Sequence, residues 1–125
     1  MAKFFADTYA LIEILRGNPN YAPYAEGGLY STEFNLLELS YALTRDFDRE
    51  KAQTTIDLMR SFLVILTPGT EHYIDASVLR LQAKKKGKKF SLIDCLGYVL
   101  AKDMGMKFLT GDREFKDMKN VEFVK

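Results

Sequence analysis

Phe4-Phe5-Ala6-Asp7-Thr8, running on through Tyr9, Ile12, Ile14 and Leu15 to Gly17-Asn18-Pro19, is the stretch that decides the fold. Three apolar residues make a short buried-strand candidate that stops at Asp7. Thr8 to Arg16 has helical composition, and the Gly-Asn-Pro triplet terminates it. The rest of the chain repeats this passage from strand to helix. Gly28 to Ser31 reads as a second strand, followed by a core-facing helix that carries Phe34, Leu36, Leu37, Leu39, Tyr41, Ala42 and Leu43. Asp48 is placed to cap a third helix through about Ser61, and Phe62-Leu63-Val64-Ile65-Leu66 is the strongest strand signal, stopped by Pro68-Gly69. Thr70 to Lys86 alternates apolar and charged residues at helical spacing until Gly87. Ser91 is an N-cap for a helix to Met104, with Gly105 at C′; Lys107 to Thr110 is then a strand ending at Gly111-Asp112, and Val121 to Val124 a last one.

Parallel neighbours need crossovers, so strands alternating with helices call for a parallel sheet covered on both faces. The expected fold is one α/β domain over residues 1–125, with a mostly parallel four- to five-stranded sheet flanked by helices on both faces. With 47% hydrophobic and 13% aromatic residues in 125, the chain can build a core without staples. Eighteen basic against seventeen acidic side chains leave a net charge of +1, so only the local distribution of charge speaks about a polyanionic partner. The single cysteine, Cys95, excludes an intrachain disulfide and fits a reducing compartment. No apolar run approaches the ~18 residues that span a bilayer, which makes a soluble cytoplasmic protein the expectation.

Four acids stand beside apolar runs: Asp7 and Asp112 just past predicted strands, Glu38 within a helix, and Asp94 near the start of another. In a parallel sheet function gathers at the carboxyl ends of the strands. Carboxylates are costly to desolvate unless something positive sits between them, so four in these places suggest a divalent metal and phosphodiester chemistry. Mg²⁺ and Mn²⁺ take oxygen ligands and keep several waters, so two or three carboxylates and a substrate phosphate suffice.

The ordered pieces Phe4-Phe5-Ala6-Asp7-Thr8, Ser31-Thr32 with Asn35-Leu36-Leu37-Glu38-Leu39, Ser91-Leu92-Ile93-Asp94-Cys95 and Phe108-Leu109-Thr110-Gly111-Asp112-Arg113-Glu114-Phe115 resemble the PIN-domain family, and by size the compact VapC-type ribonuclease toxins. The resemblance spans nearly the whole chain and departs from the family at none of the four acids. It implies a PIN-like fold and an Mg²⁺- or Mn²⁺-dependent endoribonuclease acting on RNA. It also implies a small antitoxin as partner and a homodimer. On this reading Asp7 and Asp94 are direct metal ligands, while Glu38 and Asp112 bind through water, hold a second ion or orient the nucleophile. Thr110, Thr8 and Glu114 would be outer supports.

Each acid also has an ordinary explanation. Asp94 lies three residues after Ser91, where an acid favours a helix N-terminus. Asp7 can simply cap the first helix, and Asp112 can be a turn residue after Gly111. Glu38, flanked by Leu36, Leu37 and Leu39, lies on or beside a buried stripe, where a solitary Glu is seldom left unpaired. Lys84, Lys85, Lys86, Lys88 and Lys89 precede the third acid. They are either a solvated helix end or a track for phosphates beside the cut. His72, the only histidine, supports no triad and reads as a surface helix position, and Cys95 as a small packed residue. Phe90 reads as core rather than as a stacking platform. Tyr21, Tyr24 and Tyr30 line a groove or, more in keeping with their neighbours, pack over the first helix.

A housekeeping RNA-processing nuclease on the same fold is the alternative function, and a non-hydrolytic phosphate-handling or signalling domain is a more distant one. A receiver-type domain wants paired acids after the first strand and an Asp after the third, whereas this chain has Asp7-Thr8 and Leu66-Thr67. A dehalogenase-like phosphatase wants Asp-x-Asp, and Asp7-Thr8-Tyr9 fails that as well.

Overall fold

A computed structural model describes residues 2–125. Five strands, β1 Phe4–Ala6, β2 Leu29–Thr32, β3 Leu63–Leu66, β4 Lys107–Thr110 and β5 Val121–Phe123, form one sheet in the order β3-β2-β1-β4-β5. Every pairing among the described residues is parallel, so the expected mostly parallel sheet of four to five strands has five there and no antiparallel member.

Among the described residues six helices make the connections: α1 Thr8–Leu15, α2 Ala22–Ala25, α3 Glu33–Asp46, α4 Arg49–Phe62, α5 Thr70–Lys85 and α6 Leu92–Asp103. The sequence reading has no counterpart for α2 or for the 3₁₀ turn Pro19–Tyr21 before it. Both are only about one turn long, too short for hydrophobic periodicity to register. The strand order also runs outward from β1 to β3 and then restarts on the other side of β1. The boundary between β1 and β4 is therefore the point at which the winding reverses, and in such sheets the crevice for a ligand opens there.

Side chains of a strand alternate between its faces, and here the two faces bury different chemistry. On one side Phe5 of β1 and Phe108 of β4 stack, with ring centroids 6.0 Å apart, beneath α5 and α6; Tyr98, Phe90 and Phe115 extend the same aromatic slab. On the other side Ala6, Leu29, Leu63 and Leu109 pack under α1, α3 and α4 through Leu11, Leu36, Leu39 and Met59. Burying side chains of this size is worth about 1.5–3 kcal/mol each. Residues from both of these layers hold the helices that carry Glu38 and Asp94.

Candidate metal and catalytic centre

Asp7 ends β1 and caps α1. Its backbone is extended, and its Oδ1 accepts the Ala10 amide at 2.8 Å. It is 2% exposed, and its own amide donates to the Leu109 carbonyl of β4 at 3.2 Å, which seats it at the β1–β4 boundary. Burial pushes its carboxyl up from 3.8 to about 7. Hydrogen bonds from Thr110 and Ala10 pull it back down in part, and the negative charges of Asp94 and Asp112 raise it again. A capping aspartate on an exposed helix would keep the amide hydrogen bond but not the burial or the neighbouring negative charges.

Thr110, fully buried at the end of β4, joins the first and fourth acids, because its Oγ1 also accepts the Asp112 amide at 3.0 Å. Asp112 in turn caps the 3₁₀ turn Arg113–Phe115, accepting the Glu114 amide on Oδ1 at 3.0 Å. Gly111 between them has no room for a side chain: a Cβ there would meet the Tyr9 ring and would lie 2.6 Å from the Val124 carbonyl oxygen.

Asp94 sits in the first turn of α6 and makes a reciprocal cap with Ser91. The Asp94 amide donates to Ser91 Oγ at 3.0 Å, and the Ser91 amide donates to Asp94 Oδ2 at 3.1 Å. Burial raises this carboxyl, and the charge of Asp112 raises it further. Glu38 lies in mid-α3, where Thr8 donates to its Oε1 at 2.6 Å. Burial is again the main cause of its upward shift, with Asp94 adding to it. The four acids therefore feel one another: Asp94 acts on Asp7 and Glu38, and Asp112 acts on Asp7 and Asp94.

A polar support that the sequence reading leaves without a role lies beneath Glu38. Thr32, the cap of α3, donates to Asn35 Oδ1 at 2.7 Å, and Asn35 Nδ2 donates to Thr8 Oγ1 at 3.2 Å, completing a relay to Glu38. Asn35 is 2% exposed and Thr32 1% exposed. Ser31, also buried, donates to the Ala6 carbonyl at 2.9 Å and ties β2 to the end of β1. The sequence signal for Asn35 is its place three residues after a capping threonine, on the face of α3 shared with Leu36 and Leu39, where an amide requires partners.

The remaining candidates have other surroundings. His72 is not a bare surface residue. Its Nδ1 accepts the Gly69 amide at 2.9 Å and its Nε2 meets Asp103 at 2.9 Å, pinning the start of α5 to the end of α6. Cys95 is buried, and its thiol is pushed up to about 11 by desolvation. Phe90 stacks on Phe115 at 4.1 Å within the core, and Tyr21 is buried with its hydroxyl donating to the Val124 carbonyl. Lys84 and Lys85 close α5, whereas Lys88 and Lys89 are both tied to Glu114.

None of the four ion pairs among the described residues includes Asp7, Glu38, Asp94 or Asp112. Nor do three acidic, histidine or cysteine side chains among the described residues close on one point as a ready ligand cage. Each of the four carboxylates is steered by a protein donor through one oxygen: Asp7 Oδ1, Glu38 Oε1, Asp94 Oδ2 and Asp112 Oδ1. Such a set, all oxygen, mutually repelling and fixed from behind, suits a hard cation that keeps its waters, since Mg²⁺ is ordinarily held by one or two carboxylates directly.

No curated protein matches the chain in sequence. Solved structures with the same fold include VapBC2 from Rickettsia felis bound to a DNA fragment from its promoter, with TM-score 0.76, 20% identity and 98% of each chain covered. Another is the DNA-bound VapBC of Salmonella typhimurium, with TM-score 0.78, 20% identity, and 98% of this chain and 97% of that one covered. A third is Mycobacterium tuberculosis VapC20, described as a toxin cleaving the sarcin-ricin loop, with TM-score 0.76, 15% identity, and 98% and 100% covered. The PIN domain family matches residues 4–121, a span that begins at β1 and takes in all four acids and reaches all five strands, so this chain belongs to the PIN domain family.

Proposed function

We propose that this protein is a divalent-metal-dependent endoribonuclease and the toxin of a toxin–antitoxin pair. The observation that carries the chemistry is Asp7: a carboxylate 2% exposed, pushed up to about 7, facing the charges of Asp94 and Asp112 with no basic side chain among the described residues paired to it. A protein gains nothing by burying a carboxylate among carboxylates unless a cation is to be held there.

Asp7 and Asp94 would hold Mg²⁺ or Mn²⁺, with Glu38 and Asp112 acting through water. Such an ion, when bound, favours deprotonation of a water nucleophile and offsets charge on the scissile phosphate. The protein's part is to fix the oxygens that do this. Thr110 and the Ala10 amide favour the ionised form of Asp7, Thr8 does so for Glu38, and the Ser91 cap does so for Asp94. Glu38, raised by burial and oriented by the Thr8 hydroxyl, would be the side chain that accepts a proton from an attacking water.

The toxin assignment draws on the VapBC structures that share the fold. Leu37 and Tyr41 on α3, and Ile74, Val78 and Leu81 on α5, are large apolar side chains left exposed, as expected of a chain that meets protein partners. A small antitoxin and a second copy of this chain are the partners this reading assigns. No helix among the described residues is long and apolar enough to cross a membrane, and the reading places the protein in the cytoplasm.

The test is cleavage of a structured RNA with Mg²⁺, with Mn²⁺ and with EDTA, by the wild type and by Asp7→Asn and Asp94→Asn. Cleavage is expected with either metal, and none is expected in EDTA or from either variant while thermal melts remain cooperative. Wild-type cleavage that persists in EDTA would overturn the mechanism.

A further inference from the structure

The lysine run is tied at both ends. Toward α5, the Gly87 amide donates to the Lys84 carbonyl at 3.1 Å and the Lys88 amide to the Ala83 carbonyl at 2.9 Å, so the helix end closes on itself. Toward α6, Phe90 is buried and stacked on Phe115, with an interplanar angle of 12°. Glu114 lies between these anchors. Its Oε1 accepts the Lys89 amide at 3.0 Å, and its carbonyl accepts Lys88 Nζ at 3.3 Å.

Glu114 is also the residue whose amide donates to Asp112 Oδ1 at 3.0 Å. A run of hydrogen bonds therefore links the lysine loop to the acidic edge, from Lys89 to Glu114, from Glu114 to Asp112, and from Asp112 to Thr110 at the end of β4. The carboxylate of Glu114 is turned to the lysine loop, while its amide is what supports Asp112. Lys88 is half-buried with its ammonium engaged, whereas Lys84, Lys85, Lys86 and Lys89 are exposed.

We propose that Glu114 is a positioning residue. It clasps the loop 86–90 to the turn that carries Asp112, so that an RNA backbone held by Lys84, Lys85, Lys86 and Lys89 leads into the acidic edge. Lys88 belongs to the clasp and not to the phosphate track. This inference rests on the ribonuclease reading, and it adds the direction from which substrate reaches the site.

A polyanion held by lysines displaces counterions, so the salt dependence of affinity counts the phosphates neutralised, and each phosphate that goes unheld lowers the slope by roughly 0.7 on single-stranded RNA. The experiment measures binding of a fluorescent single-stranded RNA to the full-length Asp7→Asn protein across a salt series, alone and with Glu114→Ala or Glu114→Gln added. Glu114→Ala should weaken binding and lower the slope by the equivalent of one or two phosphates. Glu114→Gln retains the oxygen that receives the Lys89 amide and should restore both. In the otherwise wild-type enzyme, Glu114→Ala should raise KM with kcat little changed, because weaker docking affects ground state and transition state alike.

An unchanged slope in Glu114→Ala, on a parent that binds RNA, overturns the clasp and leaves the nuclease standing. So does a Glu114→Gln variant as impaired as Glu114→Ala, since charge and not the acceptor oxygen would then be what counts. Absence of RNA binding by the parent overturns the ribonuclease reading, and the clasp with it.

Discussion

The first turn of α6 and the middle of α3 each bring one acid to the same edge by opposite means. Asp94 is placed by its own neighbours: Ser91 three residues earlier caps the helix and exchanges hydrogen bonds with it, so a four-residue sequence fixes backbone and side chain together. Glu38 has no such local partner. Its anchor, Thr8, is thirty residues away on α1, and Thr8 is itself held by Asn35, which is held by Thr32. One acid depends on a local motif and the other on two helices packing correctly. The same chemical group at one site can thus be secured with a very different range of dependence.

The largest test concerns Asp7, the buried acid on which Asp94 acts. The Asp7 carboxyl is raised from 3.8 to about 7, so the folded protein binds its proton more tightly than the unfolded chain does. The stabilisation linked to that proton is full below about pH 4 and is lost as pH rises through about 7, on the order of 4 kcal/mol. In EDTA, Asp7→Asn should match the wild type near pH 4 and exceed it in stability at pH 8, with asparagine still able to cap α1. Urea melts across that range check this. Parallel wild-type and variant curves would show that burial does not hold the Asp7 carboxyl above its ordinary range.

Next in size is the packing under α6. A Cβ on Gly97 would lie 2.7 Å from Cε1 of Phe5 and 3.1 Å from that of Phe108, in the aromatic slab that seats the helix. Gly97→Ala should cost about 1–3 kcal/mol through overpacking. Because the Ser91 cap travels with the helix, this variant should keep a tight Asp94 cap in an NMR spectrum while losing activity. Retention of full activity would mean that the seat of α6 does not set the position of Asp94.

The relay to Glu38 is tested by Thr8→Val, which keeps shape and removes the hydroxyl. It should lower cleavage about 10–100-fold, the scale of supports behind metal ligands. It should also move the limb of the pH–rate profile belonging to Glu38 to higher pH, because Thr8 favours the ionised form. A profile that does not move would break the comparison.

The smallest effect belongs to the local motif. Ser91→Ala should cost about 1 kcal/mol, as helix caps do, and should leave the Glu38 limb where it is. Thermal melts and the same pH profile measure both. A shift of the Glu38 limb would show that the two anchors are coupled.

The strands, the helices beyond one turn and the four acids are legible in the sequence because each is written in a short window. Phe4-Phe5-Ala6 before Asp7 announces a buried strand end, Ser91 before Asp94 announces a cap, and Asp48 caps α4 as its place before Arg49 suggests. The short helical piece at Pro19 to Ala25 is not legible, since its stability comes from Tyr21 buried against the C-terminal strand segment. The setting of His72 escapes a sequence reading for the same reason: the Asp103 that engages it lies on another helix.

By itself, then, the sequence determined the alternation that forces a parallel sheet, the ends of its elements and the acids that stand there, all consequences of backbone hydrogen bonding and hydrophobic period over a few residues. Only the tertiary structure decided that β1 and β4 lie side by side and that Asn35 and Thr8 support Glu38. It alone turned Glu114 toward the lysine loop. Strand order and side-chain partners separated by 25 to 30 residues follow from how two unlike faces of a sheet are covered, a choice no local window contains.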